Sequence, residues 1–295
     1  MNNMTALVSC FARAYHFANN SEHIFADPAA KKLLGDDDYR KISENMTNGI
    51  SFFAPEFKGG KSAALRLIAE QHLAPPVLAR SAFCESALNN AIRLGCRQYL
   101  IFGAGYDTFA FRNNAPQLKI FELDRAEIIT DKIRRAKLAN LAVIGEHRYI
   151  PCDLAKVDLK ATLTKNGFDA KKIAFGSLLG LSYYISKADF ACLLAKTGEI
   201  WTNGSSLIFD YPTTCRDSKS QQTKQLAAAA NEQMKSEYSY AEIEKLLADC
   251  GFLIYEHLDS EQATSRFFAE YNLAHPESPM QAPKGVNYCL AVKKS

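Results

Sequence analysis

The chain has no uninterrupted apolar stretch near the roughly 18 residues that would suggest a membrane span. Leu7 to Ala12 is short, follows no basic segment and is interrupted by Arg13, which argues against a secretory leader there. The expectation is therefore a cytoplasmic protein with no membrane partner. No basic block or stripe is present either: 35 Lys and Arg against 32 Asp and Glu leave +3, without the electrostatic grip that nucleic acid requires. Among eight cysteines no C-x-x-C pair occurs, and no histidines cluster beside them to complete a zinc site. Cys84 follows Phe83 and Cys289 lies within Tyr288 to Val292, apolar settings in which a reduced thiol behaves as a small core residue. Metal ligation and a disulfide framework are not expected.

What is present is enough apolar material for a sizeable core, 47% of 295 residues. An N-terminal helix is predicted over residues 4–17, with Leu7, Phe11 and Ala14 on one face. Asp27-Pro28 reads as an N-cap with proline in the first turn, leading a helix from Ala29 to Leu34 that stops at Gly35. A helix is expected over 37–46, a loop over 49–61, and a helix over 62–72 that Pro75-Pro76 ends. Apolar spacing then predicts a helix from Val77 to Leu94. His16 and His72 lie on these helices and read as structural.

Beyond it, apolar strands alternate with amphipathic helices, the pattern of an α/β layer structure with a mainly parallel sheet. Strands are expected at 98–102, 118–123, 148–152, 172–178, 205–210, 252–257 and 287–293. Helices fall at about 107–113, 125–139, 156–166, 187–200 and 240–250, with none between the last two strands. This predicts a single domain built on an open seven-stranded sheet with one reversed edge strand. Its parts are an N-terminal helical cap (1–78), a core (79–211), a polar insert (212–238, helical over Gln221 to Lys235) and a C-terminal completion (239–295).

The chemistry-bearing stretch is Tyr99-Leu100-Ile101-Phe102-Gly103-Ala104-Gly105-Tyr106-Asp107-Thr108. A strand-length apolar run breaks at Gly103 and Gly105, where the absent Cβ lets a ligand lie on the main chain. A tight strand-to-helix turn would look the same. The third glycine of a dinucleotide fingerprint is missing, Asp107-Thr108 standing in its place, which argues against NAD and for a ligand with a ribose, no phosphate and a positive amine. Asp124 ends the next strand 21 residues past Gly103, near the spacing of a ribose-binding carboxylate, with Glu122 two residues back; either acid is alternatively a helix cap. Asp153-Leu154 after the third strand suits an adenine amino group and ring face, or again a cap. Aromatic residues on the strand-end loops, Tyr106, Tyr183, Tyr184 and Tyr211, are the candidate substrate-side groups, though each also suits packing.

These residues resemble the leucine carboxyl methyltransferase group of class I S-adenosylmethionine-dependent methyltransferases, including its bacterial polyketide O-methyltransferase relatives. The likeness runs through Thr5-Ala6-Leu7 with Arg13-Ala14, Phe25 to Ala30, Ala79-Arg80 to Glu85, and Phe102 to Arg112. It continues through Phe121 to Asp124 with Lys132, Cys152-Asp153-Leu154, and Gly180-Leu181-Ser182-Tyr183-Tyr184. It implies a Rossmann-like fold with N-terminal helices and S-adenosylmethionine as cofactor. Arg80 would pair with the cofactor's carboxylate, a role for which a planar guanidinium is suited. Gly103 and Gly105 would lie under the cofactor, Asp124 would hold its ribose, and Asp153 with Leu154 its adenine. The chain departs from the pattern at Leu179, where a glutamate would contact the cofactor's amine, and at Phe109, Glu85 and Ala126. The implied activity is methyl transfer to a carboxylate or hydroxyl of a small molecule or peptide; a non-enzymatic binding module is the alternative that Leu179 raises.

Overall fold

The computed structural model describes residues 4–215, 218–229 and 233–294. Before the first strand come α1 (Met4–Asn19), α2 (Ala30–Leu34), α3 (Asp36–Asn48), α4 (Ile50–Phe53) and α5 (Lys61–Ile68). A π-helical turn, Ala69–Leu73, then leads directly into α6 (Ala74–Arg93). Pro75 and Pro76 therefore open a helix, correcting the expectation that they close one: at the first positions of α6 a missing N–H costs nothing. The expected loop at 49–61 likewise contains the single turn of α4.

The strands are β1 (Gln98–Phe102), β2 (Lys119–Asp124), β3 (His147–Pro151), β4 (Ala174–Leu178), β5 (Ser206–Pro212), β6 (Phe252–Leu258) and β7 (Val286–Lys293). Between and around them lie α7 (Phe109–Arg112), α8 (Ala126–Leu138), α9 (Leu159–Lys165), α10 (Lys187–Ile200), α11 (Ser218–Ala229) and α12 (Tyr240–Asp249). Two short helices, α13 (Ser260–Phe267) and α14 (Ala269–Ala274), occupy the segment between β6 and β7 where none was expected. The helix expected over 221–235 is α11; residues 230–232 lie outside the described residues, and 233–238 is not helical.

The sheet runs β3-β2-β1-β4-β5-β7-β6. All neighbours pair parallel except β7, which is antiparallel to β5 and β6 and so lies one place in from the edge. Every residue of β1 and β4 is buried, as central strands covered on both faces require. Alternation along the strands divides the core in two. Tyr99, Ile101, Phe175, Ile208 and Tyr288 pack with the N-terminal helices, and Leu100, Phe102, Phe209, Tyr211 and Cys289 pack on the opposite face. Chain order reverses between β1 and β4, which opens a crevice at their carboxyl ends, the place where such sheets bind ligands.

Candidate functional site

Gly103 and Gly105 sit at that crevice with φ of +68° and +48°, conformations a side chain would strain. The Gly103 and Ala104 N–H groups donate to the Leu123 carbonyl at 2.8 and 3.2 Å, tying the turn to β2. Gly105 N–H donates to Asp124 Oδ2 at 2.7 Å, and Arg125 N–H to Oδ1 at 2.7 Å. Asp124 thus braces the glycine turn and does not cap α8, whose first turn has no side-chain cap. Burial pushes its carboxyl above the ordinary range, against the pull of the two N–H groups. Asp153 is exposed at its side chain; its Oδ1 accepts from Ala155 N–H at 3.1 Å, while the cap of α9 is Asp158. Leu154 beside it packs against the core on the face away from the N-terminal helices.

On the other wall, Arg80 of α6 donates from Nη2 to Ser9 Oγ at 3.3 Å, and its Nη1 lies 3.6 Å from Asp210 Oδ2. Leu179 is half-buried against the core under the N-terminal helices. It lines a crevice of about 10 Å³ with Arg13, Ser81, Glu85, Asp107 and Arg112, room for about one water. Tyr183 is buried with its hydroxyl donating to Asp210 Oδ2 at 2.9 Å. Tyr184 is half-buried beside it, ring centroids 6.0 Å apart.

Three sequence candidates turn away from the crevice. Glu122 is fully buried and paired with Lys132, and His147 Nε2 lies 3.1 Å from its Oε1. Burial opposes its charge, but Lys132 and His147 together hold its carboxyl below the ordinary range. Its carboxylate is committed to these two partners inside the core. Tyr106 donates to Asp131 Oδ2 at 2.7 Å, and its carbonyl accepts from Arg13 Nη2 at 2.7 Å, so it ties α8 and α1 together. Tyr211 lies on the opposite face of the sheet, its hydroxyl 2.7 Å from Nε2 of His257 on β6. His16 is buried, with Nε2 accepting from Ile24 N–H at 3.0 Å, and burial pushes its pKa down to about 3; it is neutral and structural.

Two acids that do not stand out in sequence organise the site. Asp27, read there as a helix cap, does accept from Ala29 and Ala30 N–H at 3.2 and 3.0 Å. It also takes Arg13 Nε at 2.8 Å, Thr108 Oγ1 at 2.7 Å and Arg112 Nε at 3.3 Å, and Arg112 forks onto Glu85. Segments far apart in the chain therefore meet around one buried carboxylate beneath the glycine turn. Asp210 ends the apolar run Leu207 to Phe209, the signal that also marks Asp124.

The leucine carboxyl methyltransferase family model matches residues 6–198. The chain is 36% identical over 303 residues to a Bacillus subtilis protein named "Putative S-adenosyl-L-methionine-dependent methyltransferase YktD", covering 99% of this chain and 98% of that one. A similarly named Frankia alni protein, FRAAL3836, is 28% identical over 63% of this chain and 64% of its own. Among solved structures, a DUF574 family protein from Streptomyces avermitilis aligns over 97% of both chains with a TM-score of 0.60 and 15% identity. Magnesium protoporphyrin IX methyltransferase from Synechocystis, solved with bound SAH, aligns with a TM-score of 0.50 and 11% identity over 90% of this chain and all of its own. These two likenesses carry the fold.

Proposed function

Because the chain belongs to the leucine carboxyl methyltransferase family, we propose that it transfers the methyl group of S-adenosylmethionine to an oxygen, the carboxylate or hydroxyl of a small molecule or peptide. The observation that carries this reading is the 2.7 Å bond from Gly105 N–H to Asp124, which sets a carboxylate beside two bare backbone positions at the crevice. Its chemistry suits a ribose: each oxygen of Asp124 accepts one N–H and retains capacity for a hydroxyl.

In this reading Arg80 pairs with the cofactor's carboxylate, Asp124 orients its ribose, and Asp153 with Leu154 takes the adenine. Leu179 gives the amino-acid end an apolar wall. The bound cofactor supplies a methyl group on a positively charged sulfonium, with a neutral thioether to leave. The protein's work is then alignment and exclusion of water, worth up to roughly 7–11 kcal/mol. The N-terminal helices and the insert supply the cover: Gln222 Nε2 donates to Phe52 O at 3.0 Å, and Lys235 N–H donates to Tyr183 O at 2.7 Å.

A carboxylate acceptor needs no base, whereas a hydroxyl does. Tyr183 is held protonated by burial and by Asp210, and Tyr106 by burial and Asp131, so neither offers the phenolate that a general base would need. That favours the carboxylate. Tyr184, on the same turn, is the remaining substrate-side candidate.

The test is calorimetry with S-adenosylmethionine and S-adenosylhomocysteine, followed by transfer of labelled methyl to a metabolite extract. Base-labile label marks a methyl ester, and base-stable label an ether. No binding by the intact protein, and none restored by Leu179→Glu, would sink the proposal. Binding without transfer to any extract would favour the non-enzymatic module that Leu179 raises.

A further inference from the structure

Asp210 is fully buried on β5, and its carboxylate meets three groups, two on the loop after β4 and one on α6. Oδ1 accepts from Gly180 N–H at 2.6 Å, Oδ2 accepts from Tyr183 O–H at 2.9 Å, and Arg80 Nη1 stands 3.6 Å from Oδ2. The Asp210 carbonyl also takes Ser182 O–H at 2.7 Å. Tyr288 faces Asp210 in register on β7 and is buried in the field of both Asp210 and Arg80; its hydroxyl makes no hydrogen bond among the described residues. A Cβ at Gly180 would fall 2.7–2.9 Å from Nη1, Cζ and Nη2 of Arg80, so only glycine lets the guanidinium rest there. The Arg80 side chain is 16% exposed and Asp210's only 1%: the cation lies between a buried acid and the crevice.

We propose that Asp210 is the positioning residue for Arg80, holding the guanidinium against Gly180 so that its remaining N–H groups meet a carboxylate on the ligand. The inference rests on the methyltransferase reading above, in which that carboxylate is the amino-acid end of the cofactor. At 3.6 Å the charges attract without an N–H···O bond, so apart from the Nη2 bond to Ser9 the arginine's donors are left for the ligand. A free arginine side chain has many rotamers to lose on binding, and an acid that fixes it beforehand removes that cost.

The experiment compares S-adenosylhomocysteine with 5′-methylthioadenosine, which shares the nucleoside and lacks the amino-acid end, by calorimetry on the full chain. Asp210→Asn should weaken S-adenosylhomocysteine at least tenfold and leave 5′-methylthioadenosine within twofold. Arg80→Ala should do the same, and the double variant should be no weaker than Arg80→Ala alone. Circular dichroism checks that each variant is folded; where Asp210→Asn is not, Asp210→Glu keeps the charge but displaces it and should show the same selective loss. Equal losses for both ligands, or none, overturn the proposal. Unchanged affinity for both ligands together with slower transfer of labelled methyl to the extract also overturns it, assigning the carboxylate to the acceptor instead. If the wild type binds neither nucleoside, the functional reading itself fails and this inference falls with it.

Discussion

Removing Asp27 should destabilise the whole N-terminal half of the molecule. In Asp27→Ala, Arg13 and Arg112, whose side chains are 10% and 13% exposed, lose a shared anion, and Arg112 alone retains a second one in Glu85. Breaking a buried ion pair by deleting one partner costs about 3–5 kcal/mol, because the other charge stays buried. At roughly 2–4 °C per kcal/mol, the melting temperature should fall by about 6–20 °C. Asp27→Asn keeps an acceptor for Thr108 and should cost less, about 1.5–3 kcal/mol. The pH dependence fixes the cause. Burial opposes the charge of Asp27, but Arg13 and Arg112 hold its pKa below the ordinary value, so its contribution is complete above an unfolded pKa of about 3.9. It is lost as pH falls through the lower folded value. Thermal denaturation followed by circular dichroism should therefore show a constant gap between wild type and Asp27→Ala from pH 7 to about 5, narrowing below about 4. A shift under about 2 °C at pH 7, against the 2–4 °C expected per kcal/mol, or a gap that widens on acidification, would refute the assignment.

Three further outcomes separate site from scaffold. Asp124→Ala should weaken S-adenosylhomocysteine and 5′-methylthioadenosine alike, by about 10–100-fold for a lost charge-assisted bond, since both carry the ribose; equal affinity in calorimetry removes Asp124 from the site. Glu122→Gln leaves Lys132 buried without its anion and should cost about 3–5 kcal/mol in denaturant melts, while the folded fraction binds nucleoside as the wild type does. Tyr211→Phe loses the bond to His257 and should cost about 1 kcal/mol with no change in methyl-transfer rate. A tenfold slower rate would return Tyr211 to the site.

Strands were legible because central parallel strands are buried on both faces: Tyr99 to Phe102 is an unbroken apolar run that only a covered sheet accommodates, and in Ile120 to Leu123 the single interruption, Glu122, is neutralised by Lys132. Helix boundaries failed where local chemistry has two uses. Pro75-Pro76 stops a helix as readily as it starts one, and the π-helical turn that joins α5 to α6 has no signature in apolar spacing. The helix α13 was missed although its capping box, Asp259 with Gln262, stands in the sequence, because only Ala263 of its residues is buried and the apolar period is faint.

The site divides along a similar line. That Asp124 stands at the glycine turn was legible because both lie within one βαβ unit, where chain spacing fixes distance. Asp27 was not, because its partners Arg13 and Thr108 lie 14 and 81 residues away, Arg112 lies beyond them, and nothing local distinguishes a helix cap from a carboxylate that also carries two guanidinium groups. At the end of β5 the decisive rule is the two-residue period of a strand. Asp210 shares a face with Ile208 and looks toward Tyr183 and Arg80, so its neighbour Tyr211 must point into the opposite core with Phe209. Only one of the two can serve the crevice. The acid does so because the Gly180 turn brings an N–H to its carboxylate, whereas the tyrosine's hydroxyl is already committed to His257 on β6.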